Sequence, residues 1–297
     1  MTWRAIARCF SSNSAVPIEL VKLLRTKTGA PIVDCKNALM ASALDLDGAH
    51  RHLRTMGLAN AHKAAGRQTT QGVIALAQNN TGAVLVELQT ETDFVAKNGL
   101  FLSLADTLSR IALEECEKTD SWVDPDVNKV QERAKDQFSD TLLAVRENIV
   151  LKSITGLYRR SGQTLSTYVH NKAALNSSLG QIGVMVTADN VENIADGRNI
   201  MQNIAMHIAV ANPSYANLSD VPEQLIAAER AILADQLKHL GKPQKVLDGI
   251  IQGKLDKWKA EQVLIEQAYA LGDGKQKVIS LLNGIKIGGF SRKRIGE

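Results

Sequence analysis

Asp93 and His207 are the side chains of this chain that could serve as an acid–base pair, yet they stand in different halves of the sequence and no motif joins them. No serine is marked as a nucleophile by its neighbours. Neither a G-x-G-x-x-G run nor a complete G-x-x-x-x-G-K-[ST] loop is present, so no phosphate cradle is indicated. Cys9, Cys35 and Cys116 are too far apart for metal-ligand spacing or a compact disulfide framework, and they point to a reducing compartment. His50 and His52, two residues apart, would point in different directions on a helix and read as solvated side chains rather than ligands. No strong enzyme constellation emerges, and neither a metal nor a cofactor is expected.

The stretch with the most unusual local chemistry is TETDFVAKN, Thr90 to Asn98. It follows the alternating run AVLVEL at Ala83–Leu88 and precedes a helical pattern that begins at Phe94, so it reads as a strand-to-helix junction. Thr92 or Asp93 can cap that helix, because either oxygen can accept an orphaned first-turn N–H. Phe94 beside the acid is either a local packing residue or a wedge presented to a partner.

The elements that must position this junction fit a folded protein of 297 residues, for which length alone favours two domains. A formal charge of +4 is too small to indicate nucleic acid without clustered cations. No long apolar segment suggests a membrane span. The opening MTWRAIARCFSSNSA has Arg4 and Arg8 and no acid before Glu19, which resembles a mitochondrial import segment over 1–16, the alternative being a plain disordered extension.

Pro17 then starts a helix carrying Ile18, Val21 and Leu24, with Gly29 as its stop. Pro31 starts a second, and a third follows Asp47 until Gly57 interrupts it. Together they form a small helical domain over 17–57. Residues 58–71 read as a basic linker or helical extension. Arg25, Lys27, Lys36, Arg51 and Arg54 are surface cations that either solvate this domain or steer it to an acidic partner.

Beyond it the reading is a core in two parts, 72–160 and 161–297. Val73–Gln78 and Ala83–Leu88 are strands around an NNTG turn, followed by a helix burying Phe101, Leu104, Ala105, Leu108, Ile111 and Ala112 with an exposed charged tail at Glu114–Lys118. WVDPD at Trp122 is a connection leading to a helix over Lys129–Gln137. Strands are expected around Ile154–Arg160 and at Thr164–His170. GAVLV at 82–86 and IGVMV at 182–186 begin a weak repeat in which Leu104 and Leu108 correspond to Ile204 and Ile208. The fold class is therefore α+β: three N-terminal helices, then two related strand-strand-helix units with antiparallel sheets. His207 lies one residue off the Ile204/Ile208 stripe, either emerging at its edge or satisfied structurally. Further helical patterns follow Pro222, at Val246–Ile251 and around Trp258–Ala268, and the ending reads as an edge strand plus a basic tail at Arg292–Arg294.

These motifs, in this order, resemble the translation elongation factor Ts family, in its mitochondrial branch. The resemblance rests on VKLLRTKTGAPIVDCKNAL at 21–39, MGLANAHKAAGR at 56–67, TDFVAKN at 92–98, MHIAVANPSY at 206–215, GKLDKW at 253–258 and GGFSRKRIGE at 288–297. It implies a ubiquitin-associated-like first domain and a guanine-nucleotide exchange factor for mitochondrial elongation factor Tu, in a 1:1 heterodimer. It implies an interface at Asp93, Phe94, Val95 and His207, and a candidate N-terminal partner surface at Arg25, Thr28 and Gly29. No membrane or direct nucleic-acid contact is expected.

Two departures stand out. No sustained heptad pattern matches the long coiled coil of many bacterial members, and Lys293 stands where the family ending commonly has an aromatic. The competing readings are a noncatalytic module binding a peptide or ubiquitin-like protein, an RNA-associated protein using basic patches, and an acid–base enzyme.

Overall fold

Proline sets the first two helix starts in the computed structural model, which describes residues 16–64, 66–117, 124–174, 177–237 and 243–297. Pro17 precedes α1 (Ile18–Thr28) and Pro31 precedes α2 (Ile32–Ala41). Gly29 ends α1 with φ 70°, a left-handed conformation that costs glycine little, and its N–H reaches Arg25 O. The third helix, α3 (Leu46–Ala64), is capped by the Asp45 carboxylate, which accepts from the Asp47 and Gly48 N–H groups at 3.2 and 2.9 Å. The import-segment residues 1–15, with Cys9, lie outside the described residues, as do Trp122 and Gly241–Lys242.

The expected break at Gly57 does not occur. The helix runs through it because a second helix approaches there: a Cβ on Gly57 would sit 3.4 Å from the Leu143 Cβ. Leu143 belongs to a helix later in the chain and joins Leu24, Cys35, Leu39, Ala49 and Leu53 in one core. Short helices are marginal alone, so this shared burial, roughly 1.5–3 kcal/mol per large side chain, is what holds them. Charges match as well: His50 meets Asp140 at 3.2 Å, Arg54 pairs with Asp136 and Asp140, and Arg146 pairs with Asp34. The first compact unit is therefore discontinuous, combining the chain up to Arg67 with Asp136–Asn148.

The second unit comprises 68–135 and 149–297. It opens with an antiparallel hairpin, β1 (Gln71–Gln78) and β2 (Gly82–Thr90), in register Gln78 to Ala83. The Asn79 side chain holds the turn by accepting from the Thr81 and Gly82 N–H groups at 2.8 and 3.1 Å. All nine residues of β2 are buried, because it is central in its sheet and covered on both faces. After the single turn α4 (Asp93–Ala96) comes α5 (Gly99–Glu117), which packs on β1 and β2 through Phe101, Leu104, Ala105, Leu108 and Ala112. Ile111 is half-buried.

One part of the expected charged tail is not exposed. Glu115 is only 6% exposed, since α6 (Val127–Arg133) brings Lys129 and Arg133 onto its carboxylate at 2.9 and 2.8 Å. The chain then forms α7 (Lys135–Val145) and β3 (Ile149–Tyr158), whose strand begins earlier than the sequence suggested because it pairs along all of β2.

The second half repeats the plan with β4 (Thr164–His170), the short β5 (Leu179–Gly180), β6 (Ile182–Asp189) and α8 (Gly197–Ala211). The sheets are ordered β3-β2-β1-β5 and β4-β6-β7, where β7 is Lys286–Arg294. Along β6 alternate residues serve different layers. Val184 and Val186 pack with Met201, Ile204 and Ile208 of α8, while Met185 joins Ile74, Leu76, Ala83, Leu85 and Val169 between the sheets. Gly183 permits that close approach: a Cβ there would lie 2.5 Å from Leu85 Cδ2. The α+β architecture and its two antiparallel strand-helix units are thus as the sequence indicated.

Two later expectations need correction. The patterns at Val246–Ile251 and Trp258 belong to one helix, α10 (Gln244–Gln262), packed on α9 (Glu223–Leu237) through Leu233, Leu237, Ile251 and Leu255. A short helix, α11 (Val278–Leu281), precedes β7. Arg292–Arg294 form the end of β7 rather than a free tail; the Arg292 side chain is tucked in, donating to Ala209 O at 3.2 Å and pairing with Glu297.

Candidate functional site

Every residue of TDFVAKN has a structural consequence. Thr92 is extended at φ −121°, ψ 156°, and its hydroxyl accepts from the Val95 N–H at 3.4 Å, so Thr92 rather than Asp93 caps α4. Asp93 is engaged elsewhere: Lys97, four residues on, donates to its carboxylate at 2.9 Å. That ammonium holds Asp93 below the usual carboxylate range. Val95 and Ala96 are buried and anchor the turn to β1 and β2. Asn98 then caps α5, accepting from the Leu100 N–H at 2.9 Å.

Two caps and two buried anchors leave one side chain with nowhere to pack. Phe94 is 83% exposed, the most exposed of the large apolar side chains among the described residues. The local-packing alternative is thereby removed, because a single-turn helix that buries Val95 and Ala96 must turn Phe94 outward. The Asp93–Lys97 pair and the Asn98 cap were available in the sequence as i,i+4 and Asx spacings. An open groove of about 740 Å³ adjoins Phe94, lined in part by Asp93 and Lys97 and by Asn171–Ala173.

His207 does not emerge at the edge of its helix. It is fully buried on α8, covered by the segment that follows α10. The Ala270 N–H donates to Nδ1 at 3.1 Å, so the ring proton resides on Nε2, which donates to Gln267 Oε1 at 2.9 Å. Gln267 passes the connection on, its amide donating to Glu261 O at 2.8 Å. Tyr269 lies against the ring with centroids 5.9 Å apart. Burial, partly offset by Gln267, pushes the imidazole pKa below its ordinary value. Its partners are disjoint from those of Asp93, so the acid–base pair considered from sequence is not assembled.

Arg25, Thr28 and Gly29 sit at the end of α1 in the first unit. Arg25 is exposed; Thr28 is buried, its hydroxyl donating to Leu24 O at 2.7 Å and accepting from the Ala30 N–H at 3.2 Å. Among the described residues no cluster of His, Cys, Asp or Glu could hold a metal ion, and no helix is long and apolar enough to cross a membrane.

Comparison with known proteins adds the following. The family described as Elongation factor TS matches residues 91–297. The protein called Elongation factor Ts in Orientia tsutsugamushi (strain Boryong) is 34% identical over 297 aligned residues, covering 97% of this chain and 94% of its own. Its namesake in Rhodospirillum rubrum is 34% identical over 291, covering 94% and 92%. That of Alkalilimnicola ehrlichii is 35% identical over 288, covering 95% and 93%.

Proposed function

From the premise that this chain belongs to the elongation factor Ts family, we propose that it is a guanine-nucleotide exchange factor for elongation factor Tu, and specifically for the mitochondrial form of that GTPase. The observation that carries the reading is Phe94, held almost wholly in solvent on a turn that is capped and anchored on both sides. An exposed aromatic on a fixed support is a poor use of apolar area unless a partner covers it.

The mechanism is displacement by differential binding. A translational GTPase holds GDP partly through Mg²⁺ bridging phosphate oxygens and protein groups. Phe94, inserted beside that site, favours an arrangement that grips Mg²⁺ and GDP less well. Asp93, oriented by Lys97, offers carboxylate oxygens to partner donors beside it. Linkage then requires that factor and nucleotide weaken each other's binding equally, so GTP drives the factor off again. His207 contributes by fixing the segment that covers α8, through Ala270 and Gln267, rather than by direct contact. Arg25 and Gly29, exposed at the end of α1, form a second partner surface over the buried Thr28. The complex is a 1:1 heterodimer, and no bond is made or broken in this chain.

The mitochondrial assignment is supported by the opening residues, where Arg4 and Arg8 precede any acid, and the location it implies is the matrix. Uptake of the full chain by isolated mitochondria, with loss of its first residues, tests it. Exchange is tested by stopped-flow release of labelled GDP from mitochondrial elongation factor Tu, over a concentration series of this protein with excess unlabelled nucleotide. Acceleration that rises with factor concentration is expected. Binding without acceleration would instead assign a noncatalytic binding module.

A further inference from the structure

The groove beside Phe94 is built by both halves of the core. The first half contributes Val73 at the start of β1 and Ala96 of α4; the second contributes Lys172 and Ala173 after β4, and Gly180 and Gln181 where β5 leads into β6. Its volume of about 740 Å³ falls in the range of roughly 300–1,000 Å³ typical of occupied ligand sites. Two further features bear on what it takes. Asp93 and Lys97 also line it but neutralise one another at 2.9 Å. Lys172 is exposed and makes no ion pair within 4 Å among the described residues. Glu91 also lines the groove but is already engaged in an interaction of its own, so Lys172 is the lining charge left for a partner.

We propose that this groove seats an acid-bearing segment of the same GTPase that Phe94 engages, with Lys172 taking its carboxylate and the exposed Ala173 meeting its apolar side. The inference rests on the exchange reading above and extends it: four residues that line the groove, Asp93, Phe94, Ala96 and Lys97, belong to the turn that presents the aromatic. A partner that covers Phe94 cannot avoid the groove. The second half of the core thereby reads the partner directly, and Lys172 acts as a specificity-determining residue. An unpaired cation at a rim steers association and loses influence as salt screens it.

The test compares the full wild-type chain with Lys172→Glu and Ala173→Trp in the GDP-release titration, at low and high ionic strength, with thermal unfolding of each variant as the folding control. Charge reversal at the rim should raise the half-saturating factor concentration about tenfold at low salt, and the gap should narrow at high salt. Ala173→Trp, which fills the groove without changing charge, should raise it at both. Wild-type acceleration with both folded variants titrating like wild type overturns the groove proposal and leaves the exchange reading standing. Absence of wild-type acceleration overturns both. Sedimentation supplies the remaining arm: self-association of the wild type that Ala173→Trp abolishes would give the groove to a second copy of this chain and refute the proposal.

Discussion

Phe94→Ala separates fold from function. The side chain is 83% exposed, so its removal strips little packing from the isolated protein, and the stability change should stay within about 0.5 kcal/mol. In a complex that buries the ring, the same truncation forfeits about 1.5–3 kcal/mol, or roughly a 10- to 150-fold loss at about 1.4 kcal/mol per decade. Where that loss appears is informative. If the ring is buried mainly in the arrangement that has weakened its grip on GDP, saturating variant should leave a lower maximal release rate, beyond any shift in half-saturation. The assay is GDP release across factor concentrations, with chemical denaturation of the variant alongside. A folded Phe94→Ala protein that matches wild type at every concentration would refute the wedge argument.

Further outcomes follow from buried polar groups and close contacts. His207→Ala leaves the Ala270 N–H and Gln267 Oε1 without their partner and should cost roughly 2–4 kcal/mol, measured by denaturant titration. Because the folded imidazole pKa lies below the unfolded value near 6.5, the burial contribution is fully present above that pH and declines as pH falls toward the folded pKa. The midpoint of thermal unfolding should therefore drop as the pH is lowered through 6.5 and below, with a shallower drop in a folded His207→Gln variant. Glu115→Ala removes a carboxylate that meets Lys129 and Arg133; since both cations keep solvent access, the expected cost is about 1–2 kcal/mol. Gly183→Val forces a branched side chain into Leu85 and Ile74 and should destabilise by roughly 1–3 kcal/mol or more, read as a shift of the unfolding midpoint at constant m-value.

What the sequence disclosed depended on how local each determinant is. The hairpin around NNTG, the α5 stripe and the paired motifs at 82–86 and 182–186 are carried by periodicities of two and about four residues, so they were readable. Thr92 and Asp93 were equivalent as caps on local chemistry; the choice follows from Lys97 occupying Asp93. Phe94 could not be assigned to packing or presentation because exposure is a tertiary property. His207 stayed open between an edge position and a structural one, since the cover that decides it, from Gln267 to Ala270, arrives from a distant part of the chain. At Gly57 the usual helix penalty for glycine, about 1 kcal/mol, suggested a break, whereas the reason for the glycine is Leu143.

The discontinuity of the first unit bears on how the protein is made. Its three opening helices leave the ribosome long before Leu143, the residue that completes their core, and before Asp136 and Asp140, which answer Arg54. During that interval the β1–β2 hairpin and α5 emerge, so the nascent chain holds an open apolar face while another unit begins to form. Closing the first unit is thus a long-range event in sequence, with the entropic delay that such contacts carry. Synthesis pauses placed between α5 and α7 would extend the exposure of Leu39 and Leu53, and a chaperone acting on the growing chain would find its natural substrate there.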